Sequence, residues 1–178
     1  MKQPFSNGHP KLSIPHDAWA QSVRSNNIDL IPMGADQGAV VVAIGSGLMM
    51  ATADGLSQKG VPVHCVTDVG RLSVRRVLSI IDWARWVPEH RVVVLHGWRS
   101  VGTLQEWAGV LEKEFPQLLE TNTVFPCPLV MRLLGNGCEH LPPAARDLSF
   151  EDLLQRAMDM CGRQAVGLSP AMNESFGD

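Results

Sequence analysis

Four short segments of the sequence place glycine beside polar or charged residues directly after an apolar run. They are Ile44-Gly-Ser-Gly47, Thr67-Asp-Val-Gly70, His96-Gly-Trp-Arg99 and Leu134-Gly-Asn-Gly137. Glycine lets an anion approach the backbone N–H groups, and the planar guanidinium of an arginine can grip a carboxylate. The chemistry that these residues predict is therefore the binding of a phosphate or a carboxylate. The same glycines also suit tight strand-to-helix turns, so both interpretations stay open for any one segment.

The elements that would position these segments alternate along the chain. Continuous apolar runs, typical of buried strands, lie at Ala39–Ile44, Val61–Val66, Arg91–His96 and Pro128–Leu134. Helical spacing of apolar residues follows them, at Gly47–Lys59, Ser73–Val87, Thr103–Phe115 and Ser149–Arg163. This alternation predicts an α/β fold with a doubly wound, mainly parallel sheet that is covered on both faces. Ligands bind such sheets beyond the carboxyl ends of the strands, where the four segments would meet.

The two ends of the chain differ in pattern from the middle. Residues 1–16 are rich in proline and glycine and are expected to form an N-terminal arm, while residues 166–178 are expected to form a tail. The domain between them, residues 17–165, opens with a short helix over Asp17–Arg24. Two apolar stretches, Ile28–Pro32 and Ala39–Ile44, flank a glycine-rich turn, and this pattern predicts an N-terminal β-hairpin.

The first of the four segments has the properties of a phosphate cradle. A helix that begins near Ser46 and Gly47 leaves its first N–H groups unpaired, and the helix dipole adds partial positive charge there. Gly45 and Gly47 would let an anion reach the backbone without any basic side chain. Packing of the helix against the strand is the alternative role for these two glycines.

The order and spacing of these motifs resemble a known domain. Gly45–Asp54, then Thr67–Gly70, then Met131–Asn136 with Glu139 are similar to the carboxyl-terminal CoA-ligase domain of the succinyl-CoA synthetase β subunit. The resemblance runs from about residue 17 to about residue 164. It implies a flavodoxin-like fold and a role in joining a carboxylic acid to CoA at the expense of a nucleoside triphosphate.

The resemblance also implies which residues and partners take part. Carboxylate or acyl phosphate would bind at Gly45, Ser46, Gly47, Gly97, Trp98, Arg99, Gly135 and Asn136. The chain itself is expected to bind no cofactor, because CoA and the nucleotide with Mg²⁺ belong to the rest of the complex. An α-like CoA-binding subunit would be one partner, and a separate ATP-grasp subunit would be another. No residue of this chain is assigned a catalytic role.

Several residues depart from the family pattern. The stretch before the hairpin is too short for an ATP-grasp domain. Ile44 stands where the family usually has asparagine, and Trp98 and Arg99 follow Gly97 where the family has a second glycine and small residues. The protein is therefore either a component of an acyl-CoA ligase with a changed acid pocket or a relative without catalysis that binds, regulates or scaffolds. A third interpretation is a phosphate or CoA sensor that acts alone.

Histidine and cysteine offer further candidates for chemistry. His96, at the end of a strand, suits acid–base work or phosphate contact, and a packed ring is its alternative role. Cys138 and His140 have a metal-like spacing but lack a second pair of ligands, and His64 and Cys65 are expected in the core. No metal site is predicted, and no nucleophile elbow is present.

Composition and charge exclude other classes of function. The chain has 178 residues and a formal net charge of −3, and no cluster of lysine and arginine could follow a nucleic-acid backbone. Its longest apolar run is six residues, far short of the ~20 that a membrane-spanning helix needs. The start has no apolar core of an export signal, so the four cysteines are expected to be free thiols in the cytoplasm.

Overall fold

A computed structural model describes residues 13–99, 104–119 and 127–167. Along these residues the elements are α1 (His16–Arg24), β1 (Leu30–Pro32), β2 (Gly38–Ile44), α2 (Ser46–Gln58), β3 (Val63–Asp68), α3 (Val74–Ala84), β4 (His90–Arg99), α4 (Leu104–Glu114), β5 (Leu129–Gly135), α5 (Pro143–Arg146) and α6 (Phe150–Gly167). Most of the expected arm, and the expected tail from residue 168, lie outside the described residues. The division into arm, domain and tail therefore stays a prediction.

The five described strands form one sheet in the order β1-β3-β2-β4-β5. Three of the pairs, β2 with β3, β2 with β4 and β4 with β5, are parallel, and only β1 is antiparallel to its neighbour. From β2 the chain moves to β3 on one side and then returns past β2 to β4 on the other. This reversal is the mark of a doubly wound sheet, so the predicted α/β class and flavodoxin-like arrangement are confirmed.

Helices cover both faces of the sheet. One apolar core joins the sheet to α1, α3 and α4, and a second core joins it to α2 and α6. Every residue of β2 is buried, because β3 and β4 flank this strand and helices cover it from both faces. Full burial of one valine or leucine side chain contributes about 1.5–3 kcal/mol, which is why uninterrupted apolar runs become the central strands.

The expected N-terminal β-hairpin is wrong. β1 pairs with β3 instead of β2, and its register joins Leu30 to Thr67 and Ile31 to Val66. Both edges of β2 are already occupied by parallel neighbours, so β1 can bond only to the free edge of β3. The Thr67 hydroxyl also donates to the Asp29 carbonyl oxygen, at 2.9 Å, which holds the start of β1 in place. A glycine-rich turn predicts that the chain reverses its direction, but it does not identify the strand with which β1 pairs.

Two expectations from composition can be compared with the described residues. All four cysteines are free thiols in the structure. Among the described helices, none combines the length and the apolar character that crossing a bilayer requires.

Candidate functional site

The predicted anion-binding residues lie at one edge of the sheet. In the parallel pairing of β2 and β4, Ile44 stands opposite Gly97, and in the pairing of β4 and β5, Arg99 stands opposite Gly135. Gly45 directly follows β2, and Asn136 directly follows β5. The winding of the sheet reverses between β2 and β4, so the ends of these two strands flank the crevice where doubly wound sheets bind ligands.

The N-terminus of α2 is open at this edge. Gly45 has φ 114°, a conformation that favours glycine, and it precedes a helix with no side-chain cap and no acidic residue in its first turn. Ser46 and Gly47 are exposed, and a Cβ atom built on Gly45 or Gly47 would meet nothing within 4 Å. The first N–H groups of this 13-residue helix thus belong to exposed residues, have no side-chain cap, and lie at the positive end of the helix dipole.

Asp68 holds the loop before α2 in shape. One of its carboxylate oxygens, Oδ1, accepts hydrogen bonds from the backbone N–H groups of Gly45, at 3.1 Å, and Gly70, at 2.9 Å. This oxygen ties the loop after β2 to the loop after β3. The N–H group of Gly45 is thus already used, and an anion at this end of α2 would bind to the N–H groups that follow it.

Gly97 is a packing residue. A Cβ atom at this position would lie 2.8 Å from Cδ1 and 2.9 Å from Cβ of Ile44, closer than such atoms approach in proteins. Ile44 is the residue that replaces asparagine in the resemblance, so its bulk and the glycine opposite it fit together. The Trp98 side chain is 63% exposed beside them. Arg99 ends β4, and its side chain lies outside the described part of the structure.

The buried side chain of His96 lies in a chain of hydrogen bonds under this edge. Arg132 Nη1 donates to His96 Nε2 at 2.7 Å, and His96 Nδ1 contacts Thr52 Oγ1 at 2.8 Å. The Thr52 hydroxyl donates to the Leu48 carbonyl oxygen at 2.7 Å, so His96 Nδ1 must carry the proton and donate to Thr52. The chain connects β5 and β4 to the first turns of α2.

The electrostatics of His96 favour a packed ring over an acid–base catalyst. Burial, reinforced by the positive charge of Arg132, lowers the pKa of His96 to about 4. The ring is therefore neutral at pH 7, and both of its nitrogens are engaged. It also stacks on Phe150 of α6, with ring centroids 5.5 Å apart. Of the two roles that the sequence leaves open for His96, the structure supports the packed one.

Arg132 is a further candidate for the site. Besides bonding to His96, its Nε donates to the Leu148 carbonyl oxygen at 2.8 Å, and its side chain is half-buried. Burial lowers the pKa of the guanidinium, although arginine stays charged at neutral pH. Arg132 stands three residues before the end of β5, so it places a fixed positive charge under the carboxyl edge. An arginine within an apolar strand is the signal for this role in the sequence.

The comparisons with known proteins add little to this geometry. No family model matches the chain, and no curated protein matches it. Among solved structures, the chain is similar to ATP citrate lyase from Methanothrix soehngenii, solved in complex with citrate and coenzyme A, with 14% sequence identity and a TM-score of 0.40. The match covers 92% of this chain and 42% of that protein, so the chain spans less than half of its length. A likeness this weak carries no argument about the site.

Proposed function

We propose that this chain is the ligase-domain component of a succinyl-CoA synthetase-like acyl-CoA ligase, and that it binds a carboxylate or an acyl phosphate at the carboxyl edge of the sheet. The observation that carries the proposal is the open N-terminus of α2 at the reversal point of the sheet. The resemblance of the loop sequences to that family supplies the identity of the reaction.

The chemistry of the edge supports an anion as ligand. Unpaired N–H groups at the start of α2 and the charge of Arg132 beneath the edge both favour negative charge. No acidic side chain lies in the first turn of α2, and the Asp68 carboxylate beside it bonds to the N–H group of Gly45, which leaves the following N–H groups for a ligand. The exposed Trp98 at the rim offers an apolar surface for the carbon chain of an acid.

Partners would supply the remaining chemistry. No described residue at this edge forms an activated nucleophile, because His96 is neutral and bonded at both nitrogens. In the proposed complex an α-like subunit binds CoA, and a separate ATP-grasp subunit supplies the nucleotide chemistry. This chain would hold the acid or the acyl phosphate during both half-reactions.

One observation favours a second candidate function. The Ile44 side chain occupies the space directly beside Gly97. The resemblance expects backbone and side-chain contacts with the acid at this position. A relative that keeps the fold but binds or regulates a partner without catalysis would tolerate such a filled pocket. Both candidate functions involve the same partner, and only the ligase function predicts acid-dependent turnover.

Anion binding can be tested on the ¹⁵N-labelled chain. Acetyl phosphate and inorganic phosphate are titrated while the backbone amide signals are recorded by NMR. We expect saturable shifts of the Ser46, Gly47 and Leu48 amides. Gly47→Asp should abolish them, because it sets a carboxylate at the helix end while favouring the helix itself.

Gly162→Asp is the matched control, since it adds the same charge at an exposed glycine of α6 where a Cβ atom meets nothing within 4 Å. This control should bind like the wild type. If neither anion shifts the three amides, or if Gly47→Asp binds as well as the wild type, the anion site does not exist and the proposal fails.

A further inference from the structure

Four side chains that can bind a metal converge at the opposite, amino-terminal edge of the sheet. His16 begins α1, His64 and Cys65 lie in β3, and His90 begins β4. Each offers one ligand atom, and these four atoms all lie within 4.8 Å of one another. His90 and Cys65 are buried, and the other two are half-buried. Residues far apart in the sequence thus form one compact cluster.

The histidine rings direct unpaired nitrogens into this cluster. His64 Nδ1 bonds to the Ala35 carbonyl oxygen at 2.7 Å, and His90 Nδ1 bonds to the Ala84 carbonyl oxygen at 2.8 Å. A carbonyl oxygen only accepts, so both Nδ1 atoms carry the proton and both Nε2 atoms present a lone pair. The Nε2 atoms of His16, His64 and His90 are buried without a hydrogen-bond partner.

Such an arrangement is costly unless something satisfies it. A buried polar atom without a partner costs about 1–3 kcal/mol, and here three of them lie together. The Nε2 lone pairs of His64 and His90 cannot bond to one another, and a cation between them would satisfy both. Donation of the other ring N–H to a backbone carbonyl is also how proteins orient metal-binding histidines.

The fold produces the cluster through two irregularities in the sheet. Ala39 pairs with Val63 and the next residue of β2 pairs with Cys65, so His64 is an extra residue in a bulge. A bulge re-aims side chains, which lets the adjacent His64 and Cys65 both reach the cluster, whereas neighbours in a regular strand point to opposite faces. A second irregularity follows the pairing of Gly38 with His90.

The surroundings hold the rings in place. Trp19 packs edge-on against His90, with ring centroids 4.8 Å apart, and its indole N–H donates to the Ile80 carbonyl oxygen at 3.0 Å. His16 and His64 also meet edge-on, at 4.7 Å. The Glu89 carboxylate has a buried oxygen without a partner and acts on His16 by its negative charge. It would offset part of the charge of a cation.

We propose that His16, His64, Cys65 and His90 bind one zinc ion. Three imidazole nitrogens and one thiolate are a donor set that tetrahedral zinc accepts, and four protein ligands leave no position open for a substrate. The site is therefore structural, and it ties α1 to β3 and β4. A zinc ion with bonds of about 2.0–2.1 Å holds its nitrogens about 3.3 Å apart, so the ligands must close around it from their present spacing.

The histidine protonation states agree with this role, whereas the thiol must lose its proton on binding. Burial lowers the pKa of His90 to about 3 and also lowers that of His16, so neutral imidazoles are present at pH 7. Burial raises the pKa of the Cys65 thiol to about 12. Its proton leaves when the thiolate binds the cation.

The site is tested on the whole chain with the metal alone, and the test does not depend on the proposed ligase function. The purified protein is stripped with a chelator and titrated with Zn²⁺, and bound zinc is counted by mass spectrometry. In parallel, Co²⁺ replaces zinc as a spectroscopic probe. We expect one zinc per chain, a higher melting temperature with zinc, and a thiolate-to-cobalt charge-transfer band.

Variants of the ligands separate a real site from surface binding. His16→Ala changes a half-buried residue at the start of a helix, so the fold should survive, and zinc affinity should fall at least about tenfold. Cys65→Ser should lose the charge-transfer band. The exposed His140 provides the control His140→Ala, which should bind like the wild type. Failure of the wild type to bind either metal, or unchanged binding in both ligand variants, overturns the proposal.

Discussion

His96 should make the protein less stable as the pH falls from about 6.5 towards 4. Its ring is 1% exposed, and Arg132 donates to its Nε2 atom, so a second proton would meet a positive charge in a buried place. These contacts lower the pKa of His96 from 6.5 to about 4. Because the unfolded chain takes up this proton near pH 6.5 and the folded chain does not, acid favours unfolding within that window.

The size of the effect follows from the two pKa values. The full gap corresponds to about 3 kcal/mol, and the part that lies between pH 7 and pH 5 is about 2 kcal/mol. Urea unfolding of the wild type and of His96→Gln at these two pH values measures it. Glutamine does not titrate, and its amide can still accept from Arg132 and donate to Thr52. The difference between the two proteins therefore measures the loss of stability that comes from protonation of His96.

The wild type should lose about 2 kcal/mol more than His96→Gln between pH 7 and pH 5. NMR of the histidine side chains gives a direct check, and at pH 7 it should show His96 neutral with the proton on Nδ1. If the two proteins lose the same stability, or if His96 titrates near 6.5, then Arg132 and burial do not hold the ring neutral and the described hydrogen-bond chain is incorrect.

Two further predictions concern glycines. Gly38→Ala should destabilise by several kcal/mol in urea unfolding, because its Cβ atom would lie 2.1 Å from the Pro62 carbonyl oxygen, which is backbone and cannot move aside. Gly109→Ala adds its Cβ atom in open space on α4, so it should instead raise the stability of the protein by up to about 1 kcal/mol. Equal changes of stability in the two variants would refute the close approach of Gly38 to Pro62. Gly97→Ala should cost about 1–3 kcal/mol in the wild type. It should cost less in the background of Ile44→Gly, which removes the Ile44 Cβ atom as well as the rest of the side chain, so an additive double mutant would contradict the packing of these two residues.

The sequence predicts the central sheet well, because uninterrupted apolar runs such as Ala39–Ile44 have few other places in a fold. Helical spacing between the runs favours parallel strands joined by right-handed crossovers, whereas the order of the strands is seen only in the structure. The partner of β1 was not predictable in this way. Pairing depends on which strand keeps a free edge, and that is a property of the completed sheet.

The two clusters of polar residues differ in how far the sequence reveals them. The glycines at residues 45, 47 and 97 stand at strand ends, so a topological rule brings them together before any coordinates are known. His16, His64 and His90 share no spacing, and a regular strand would point His64 away from Cys65. Irregularities in the pairing of β2 with β3 and with β4 accompany their convergence, and bulges leave no clear pattern in a single sequence.

The most direct measurement is acid-dependent formation of a CoA ester by the complex in which this chain works. The tagged chain is purified from its own cells, and whatever copurifies is incubated with CoA, ATP, Mg²⁺ and a panel of carboxylic acids. We predict that a CoA-binding chain copurifies and that one acid yields its CoA ester, with the yield lost in Gly47→Asp and kept in Gly162→Asp. Recovery of the chain without a CoA-binding partner, or a complex that makes no ester from any acid, would contradict the ligase function.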